Sequence, residues 1–307
     1  MNRINHILVV VDPAAKGRQA AVDKAAHLAC CNSASVELLM CDVASALSDQ
    51  RTPASSRPHP DNTELLNLLD GLARPLRAQG TKVTVRIIYG MSLPDTILDY
   101  LPGSNADLVI KNAHLQSSAR RTFARNTDWH LMRGCSMPLL LTKTKAWGKP
   151  PVVVTAVELN DEMAAASNHH ILDFAASFAG GLKGDLHIAH TYIPMAFAAI
   201  VGAAQQSAPH AYSEALQVEN AFRYGQIESL AGAYDVSPPH LHVEVGTPND
   251  CLKQIVKQTD ADVMVMATLP RSWHRMFIGS AAATLLESLD CDILIVGASD
   301  FTQPPPV

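Results

Sequence analysis

Short apolar runs alternate along this chain with longer segments in which apolar residues recur every three or four positions. The runs are rich in β-branched residues, as in Ile7-Leu8-Val9-Val10-Val11, and predict strands that are covered on both faces. The longer segments predict amphipathic helices, since Ala21, Ala25 and Leu28, for example, share one helix face. Predicted strands span 7–11, 36–40, 83–89, 107–111, 139–142, 152–157, 186–190, 241–245, 263–267 and 293–296. Helices are predicted near 21–29, 65–76, 95–101, 128–133, 171–178, 213–231, 250–258 and 281–289.

The whole pattern occurs twice, which predicts two copies of one domain. Asn105-Ala106-Asp107-Leu108-Val109-Ile110 returns 155 residues later as Asp260-Ala261-Asp262-Val263-Met264-Val265. Strands that alternate with helices predict parallel sheets covered on both faces, so the fold class is α/β. We expect domain 1 at residues 1–146 and domain 2 at 147–307, with a linker near 144–151. Such sheets bind ligands beyond the carboxyl ends of their strands, which points to the loops after the first and fourth strands of each repeat.

Composition narrows the possible functions. Hydrophobic residues make up 48% and charged residues 17% of the 307 residues, which fits buried sheets rather than disorder. The formal net charge of −5 provides no basic field for nucleic acid or an anionic membrane. No apolar run approaches the roughly 20 residues that a membrane span needs. The six cysteines form no C-x-x-C pair and the first residues lack the pattern of a signal peptide, so we expect a reduced, cytoplasmic protein.

The loop after the fourth strand of the second repeat is the strongest candidate site. Gly279-Ser280 stands at a predicted helix start, where free backbone N–H groups and the helix dipole favour an anion. The glycine lets a phosphate approach the backbone, and Arg271 on the same loop can add a cationic contact. The alternative is a capped helix behind a solvated basic loop. The candidate residues of the second repeat are Glu158, Ala267, Thr268, Arg271, Gly279, Ser280 and Ala281.

An acidic residue follows the first strand of each repeat, Asp12 in the first and Glu158 in the second. At this position a carboxylate can accept a hydrogen bond from a purine amino group or a ribose hydroxyl. It can equally cap the following loop, and the sequence leaves both interpretations open.

The first repeat is expected to bind a nucleotide less well than the second. It has Arg125-Asn126 where the second repeat has Gly279-Ser280. Its helix is expected to begin with a cap at Thr127 or Asp128, and Asp128 would bring a negative charge to an anion site. Asp12 is therefore the candidate residue of a weaker site.

Two further features bear on function. His240 and His242 share a strand face, but no H-E-x-x-H and no cysteine pair completes a zinc set, so no metal is expected. The segment 194–201 is unusually apolar and either packs over its own domain or covers a pocket for an apolar ligand. The chain has no G-x-x-x-x-G-K-[ST], no G-x-G-x-x-G after a strand and no G-x-S-x-G, so no motif demands catalysis.

The chain resembles the universal stress protein family, and within it the type with two domains in tandem. The resemblance rests on 7–13 (Ile-Leu-Val-Val-Val-Asp-Pro), 127–133 (Thr-Asp-Trp-His-Leu-Met-Arg), 277–282 (Phe-Ile-Gly-Ser-Ala-Ala) and 291–295 (Cys-Asp-Ile-Leu-Ile), and it covers nearly the whole chain. It implies two five-stranded parallel, doubly wound sheets of strand order 3-2-1-4-5, packed as a pseudo-dimer through their fifth strands. Nucleotide-binding members carry G-x-x-G, nine residues and G-[ST] after the fourth strand, of which only Gly279-Ser280 matches here.

The resemblance implies a cytoplasmic, non-catalytic stress-response protein whose second domain binds ATP, another adenine nucleotide or a similar anion. The alternative is a binding module for an apolar small molecule or a partner protein that uses residues 194–212, and a weak ATPase is a third interpretation. The expected partners are a nucleotide or an apolar ligand, with a homodimer of tandem chains as a further option. Nucleic acid, membrane and metal are not expected.

Overall fold

The computed structural model describes residues 4–13, 15, 19–43, 63–113, 121–159, 162–194, 209–268, 285 and 287–297. In these ranges strands and helices alternate as the sequence predicts. The strands are β1 (His6–Val11), β2 (Ser35–Asp42), β3 (Val83–Tyr89), β4 (Leu108–Asn112), β5 (Leu139–Thr142), β6 (Val152–Ala156), β7 (Asp185–Tyr192), β8 (Leu241–Val245), β9 (Val263–Thr268) and β10 (Asp292–Gly297). The helices are α1 (Ala20–Asn32), α2 (Thr63–Ala78), α3 (Leu93–Tyr100), α4 (Arg121–Gly134), α5 (Glu162–Gly181), α6 (Pro209–Ala231) and α7 (Pro248–Thr259).

The first of two compact units contains the described part of Asn2–Lys145 together with β10. Its sheet has the strand order β3-β2-β1-β4-β5-β10. The pairs β1–β2, β1–β4, β2–β3 and β4–β5 are all parallel. The five strands of the first repeat therefore show the predicted order 3-2-1-4-5, and β1, at the centre, is buried from Ile7 to Val11.

The fifth strand of the second repeat, β10, completes the sheet of the first unit. It pairs antiparallel with β5, and Ile293 stands opposite Leu141. A buried ion pair holds the start of β10, because Lys24 Nζ in α1 lies 2.6 Å from Asp292 Oδ2. The same ammonium group donates to the carbonyl oxygen of Lys143 at 2.8 Å. The fifth strands of the two repeats thus pair with each other, as the resemblance implied.

The second unit spans Ala146–Cys291. Its described strands have the order β9-β6-β7-β8, and all three pairs are parallel. This order repeats the arrangement β4-β1-β2-β3 of the first unit, which confirms that the two repeats share one fold. The domains predicted at 1–146 and 147–307 follow the sequence repeat, and as folding units they stay a prediction. No helix among the described residues is long and apolar enough to cross a membrane.

The repeated aspartates of the sequence perform the same task in both units. Asp107 Oδ2 accepts a hydrogen bond from the backbone N–H of His6 at 2.9 Å. Asp262 Oδ2 accepts one from the backbone N–H of Val152 at 2.9 Å. Each carboxylate thus joins the start of the fourth strand of its repeat to the start of the first. The repetition of this residue reflects the architecture of the sheet.

Candidate functional site

The expected ligand site of each unit lies at the carboxyl ends of its parallel strands. Asp12 directly follows β1, Glu158 lies two residues beyond β6, and both are half-buried. Ala267 is half-buried at the end of β9, next to β6 in the sheet, and Thr268 is the last residue of that strand. The other predicted residues lie outside the described residues: Arg271, Gly279, Ser280 and Ala281. The structure therefore shows where Glu158 and the end of β9 lie, and the second site with its phosphate-binding loop stays a prediction.

A buried amide side chain fixes the backbone of each acidic residue. In the first unit, Gln19 Oε1 accepts from the backbone N–H of Asp12 at 3.1 Å, and Gln19 Nε2 donates to the carbonyl oxygen of Asp12 at 3.0 Å. In the second unit, Asn168 makes the same two contacts with the backbone of Glu158. These matched contacts support the correspondence of Asp12 and Glu158. The sequence did not reveal them, since Gln19 and Asn168 stand at different distances from their acidic partners.

The first unit contains a cavity of about 370 Å³ at the ends of β1, β2 and β4. Its volume lies within the range of about 300–1,000 Å³ that is usual for small-molecule sites. Apolar side chains form most of its wall: Val10, Val11, Pro13, Met40, Cys41, Val43, Leu65 and Leu93. The polar lining residues are Asp12, Asp42, Lys111 and Asn112. The predicted residue Asp12 thus lies at a cavity suited to a ligand with an apolar body.

The ammonium group of Lys111 at this cavity is already neutralised. Its Nζ lies 2.6 Å from Asp128 Oδ1, and the two side chains are 3% and 2% exposed. The ammonium group also donates to the carbonyl oxygen of Asn112 at 2.9 Å. A buried charge is retained only when it is paired, so this contact occupies Lys111. The ammonium group of Lys111 is therefore poorly suited to bind a phosphate in this cavity.

The helix start predicted at Thr127 or Asp128 is wrong. The helix α4 begins at Arg121, so both residues lie within it and Arg125-Asn126 does not stand at its start. The segment 121–126 contains neither glycine nor proline, and nothing in it stops the helix from extending toward its N-terminus. Asp128 instead supplies the partner of Lys111. Backbone N–H groups inside a helix bond to preceding carbonyl groups, which removes the expected anion site from this position.

In the second unit, polar rings occupy the positions that correspond to cavity-lining residues of β2 in the first unit. Strand register places His190 and Tyr192 of β7 where β2 has Met40 and Asp42. His190 is 1% exposed, and its Nδ1 lies 3.1 Å from the carbonyl oxygen of Val157. Burial lowers the pKa of His190, so its ring is neutral near pH 7. No motif in the sequence marks this histidine, although a polar residue near the carboxyl end of a buried strand is the signal that could have identified it.

Three other histidines form a cluster: His187 on β7, His242 on β8 and His240 in the turn directly before β8. His187 Nδ1 lies 2.9 Å from His242 Nε2, and the His187 and His240 rings stack with centroids 4.2 Å apart. The rings of His240 and His242 both stack with His187, although His240 lies in the turn before β8 and not on the strand as predicted. In the part of the chain that the structure describes, no group of three or more His, Cys, Asp or Glu side chains is arranged to hold a metal ion.

The fold defines an α/β protein of two tandem doubly wound repeats, the first of which has a cavity at the carboxyl ends of its strands. A profile of the Universal stress protein family matches residues 3–143 and 163–297. The chain therefore belongs to the universal stress protein family, and this membership supports a role in the stress response.

Individual relatives are similar along most of their length. Universal stress protein E of Escherichia coli (strain K12) is 22% identical over 229 residues, which are 73% of this chain and 71% of that protein. A functionally unknown protein from Pseudomonas aeruginosa PAO1 has a TM-score of 0.70 at 24% identity over 97% of this chain and 94% of that one. A universal stress protein from Archaeoglobus fulgidus DSM 4304 has a TM-score of 0.64 at 14% identity over 97% and 98% of the two chains. The two structures confirm the fold.

Proposed function

We propose that this chain is a cytoplasmic, non-catalytic stress-response protein whose second domain binds an adenine nucleotide or a similar anion. The observation that carries the proposal is the fixed position of Glu158, whose backbone is held by Asn168 at the crevice where open α/β sheets bind ligands. The loop that follows β9 supplies Gly279-Ser280, a sequence suited to phosphate. The second repeat has Met266 in place of Lys111, so no buried ion pair of that kind arises at its strand end.

The proposal that the chain is not an enzyme is supported by the chemistry of the first site. Burial raises the pKa of the Cys41 thiol to about 12, so this cavity-lining cysteine stays protonated and is a poor nucleophile. All six cysteines are free thiols, which fits a reducing compartment. ATP hydrolysis remains the least favoured interpretation. Turnover that disappears in both Ser280→Ala and Arg271→Ala would establish it.

Isothermal titration with ATP tests nucleotide binding and its location. We expect Gly279→Asp to lower the affinity at least tenfold, because its side chain and charge oppose a phosphate at the backbone. Glu158→Gln should weaken binding, whereas the matched change Asp12→Asn in the first unit should leave the affinity within about twofold. Absence of heat at high protein concentration, or unchanged binding by Gly279→Asp, would overturn the proposal.

A second candidate function is the binding of an apolar small molecule in the first unit. The specific observation in its favour is the mostly apolar cavity beside Asp12, which has no unpaired cation at Lys111. The surface predicted at residues 194–212 stays a prediction, since 195–208 lie outside the described residues. The cavity is the location that the described residues support.

Native mass spectrometry of the purified chain tests this second candidate. We expect a bound small molecule that is lost in Leu65→Trp, because Leu65 lines the cavity and the larger ring would fill it. Leu66→Trp is the matched control, since Leu66 is 42% exposed on the same helix and does not line the cavity. A ligand retained by Leu65→Trp, or the absence of any ligand from the wild type, would contradict this candidate.

A further inference from the structure

His190 occupies a position that lines the ligand cavity in the other unit. In the first unit Val11 pairs with Met40, and Met40 is part of the cavity wall. In the second unit Ala156 pairs with Ala189, so the next residue along the chain from each places His190 beside Val157. Val157 precedes Glu158 as Val11 precedes Asp12, so His190 corresponds to Met40. The equivalence of the two folds therefore directs attention to His190 as a residue of the second ligand site.

The hydrogen bond of His190 determines which ring nitrogen can serve a ligand. A carbonyl oxygen only accepts, so the contact of Nδ1 with the Val157 carbonyl places the proton on Nδ1. The ring is neutral because burial lowers its pKa, and Nε2 then carries a lone pair. This Nε2 is buried and has no hydrogen-bond partner among the residues that the structure describes. An unsatisfied buried acceptor lowers the stability of the fold, so we expect it to form a hydrogen bond with a ligand.

Arg223 in α6 provides an unused donor close to the same ring system. Its guanidinium group lies 5.7 Å from the centre of the Tyr192 ring, and that ring is parallel to His190 with centroids 6.0 Å apart. The Nη1 group of Arg223 contacts the carbonyl oxygen of Leu159 at 3.5 Å and Gln226 Oε1 at 3.3 Å. Within the described part of the chain, the Nε–H group is buried and has no hydrogen-bond partner. An unsatisfied acceptor and an unsatisfied donor thus both lie near Tyr192.

We propose that His190 Nε2 and Arg223 Nε together recognise a hydroxyl group of the ligand in the second domain. The hydroxyl donates its hydrogen to Nε2 and accepts a hydrogen bond from Nε–H, which satisfies both buried groups at once. Since this inference rests on the proposed nucleotide site, the group recognised is a ribose hydroxyl. The first unit has Met40 and Asp42 at the positions of His190 and Tyr192, so the same recognition is not available there.

Titration with ATP and with 2′,3′-dideoxy-ATP tests the proposal on the full chain. We expect the wild type to prefer ATP about tenfold, which is the usual effect of one well-placed hydrogen bond to a buried group. His190→Met, which introduces the residue of the first unit, should bind both nucleotides with the affinity that the wild type has for the dideoxy compound. His240→Met, a histidine change outside the site, should keep the preference. Arg223→Met should lose it.

The outcomes separate this proposal from the function on which it rests. If the wild type binds both nucleotides equally, or His190→Met keeps the preference, the hydroxyl recognition is wrong and nucleotide binding stands. If neither nucleotide binds, both are wrong.

An ¹⁵N spectrum of the histidine rings of the wild-type chain gives a test that does not depend on the folding of any variant. We expect the Nδ1-protonated form of His190 without ligand and a change at Nε2 when ATP is added. A proton found on Nε2 would overturn the proposal.

Discussion

At the scale of single residues, the buried pair of Lys111 and Asp128 distinguishes the first candidate site from the second. Its two charged atoms lie 2.6 Å apart in the first unit. The second repeat has Met266 and Ala282 in the corresponding positions of the sequence. The first site therefore contains an internally neutralised cation, and the second repeat carries none there. We therefore expect these two exchanges to change the kind of ligand that each candidate site can accept.

The pair also permits a stability test. Lys111→Met leaves Asp128 buried without its cation, so we expect the free energy of unfolding to fall by about 3–5 kcal/mol. The double variant Lys111→Met/Asp128→Ala carries the residues of the second repeat and should recover most of this loss, because no unpaired charge remains. Urea unfolding of the full chain measures both values. A double variant as unstable as the single one would contradict the expectation.

The histidine cluster of the second unit predicts a loss of stability in mild acid. Burial, and then the neighbouring His240 and His242, lower the pKa of His187 from 6.5 to about 4. Between these values the unfolded chain binds a proton that the folded protein does not, so the free energy of unfolding decreases as the pH falls through this window. His187→Gln should therefore lose less melting temperature between about pH 7 and about pH 5 than the wild type, as followed by calorimetry. His130→Gln, at an exposed position, should behave like the wild type.

At the scale of elements, β10 depends on a contact far away in the sequence. The ion pair of Lys24 with Asp292 joins α1 to the start of β10, and both side chains are buried. We expect Asp292→Asn to destabilise the first unit by about 3 kcal/mol and to speed amide exchange in β5 and β10. Asp70→Asn is the control, because its ion pair with Arg77 is exposed and should contribute less than about 1 kcal/mol. Equal effects of the two changes would show that β10 is held by packing alone.

Strands could be predicted from the sequence more accurately than helix starts or side-chain contacts. The run 7–11 corresponds to β1, because a strand buried on both faces must be continuously apolar. The predicted start of α4 was wrong, because Asp128 has the chemistry of a helix cap but forms an ion pair with Lys111 instead. The contact of Gln19 with the backbone of Asp12 has no fixed spacing and leaves no periodic trace in the sequence. The position of Asp12 at the cavity could be predicted because strand ends follow directly from the strand pattern.

At the scale of the whole molecule, the repeat separates structural residues from residues that can bear function. Asn105 and Asp260 occupy matching positions in the repeat and share a left-handed backbone, with φ of 54° and 49°. Asparagine and aspartate tolerate this conformation better than most other residues, which explains the repetition of the position. By contrast, Met40 and His190 occupy one position of the fold with different chemistry. The scaffold is common to both repeats, and the lining of the two crevices differs.

This separation predicts that matched substitutions at the repeated aspartates have matched effects. Asp107 and Asp262 each accept backbone N–H groups at the start of a first strand, so Asp107→Ala and Asp262→Ala should each cost about 1.5–3 kcal/mol of unfolding free energy. Neither change should alter nucleotide affinity, because both residues precede the fourth strand and the ligand sites lie at its opposite end. Asp99→Ala, at an exposed position, should stay within about 0.5 kcal/mol of the wild type. Urea unfolding and ATP titration provide the measurements. If one aspartate proved essential and the other dispensable, the two repeats would have diverged in their architecture as well as in their sites.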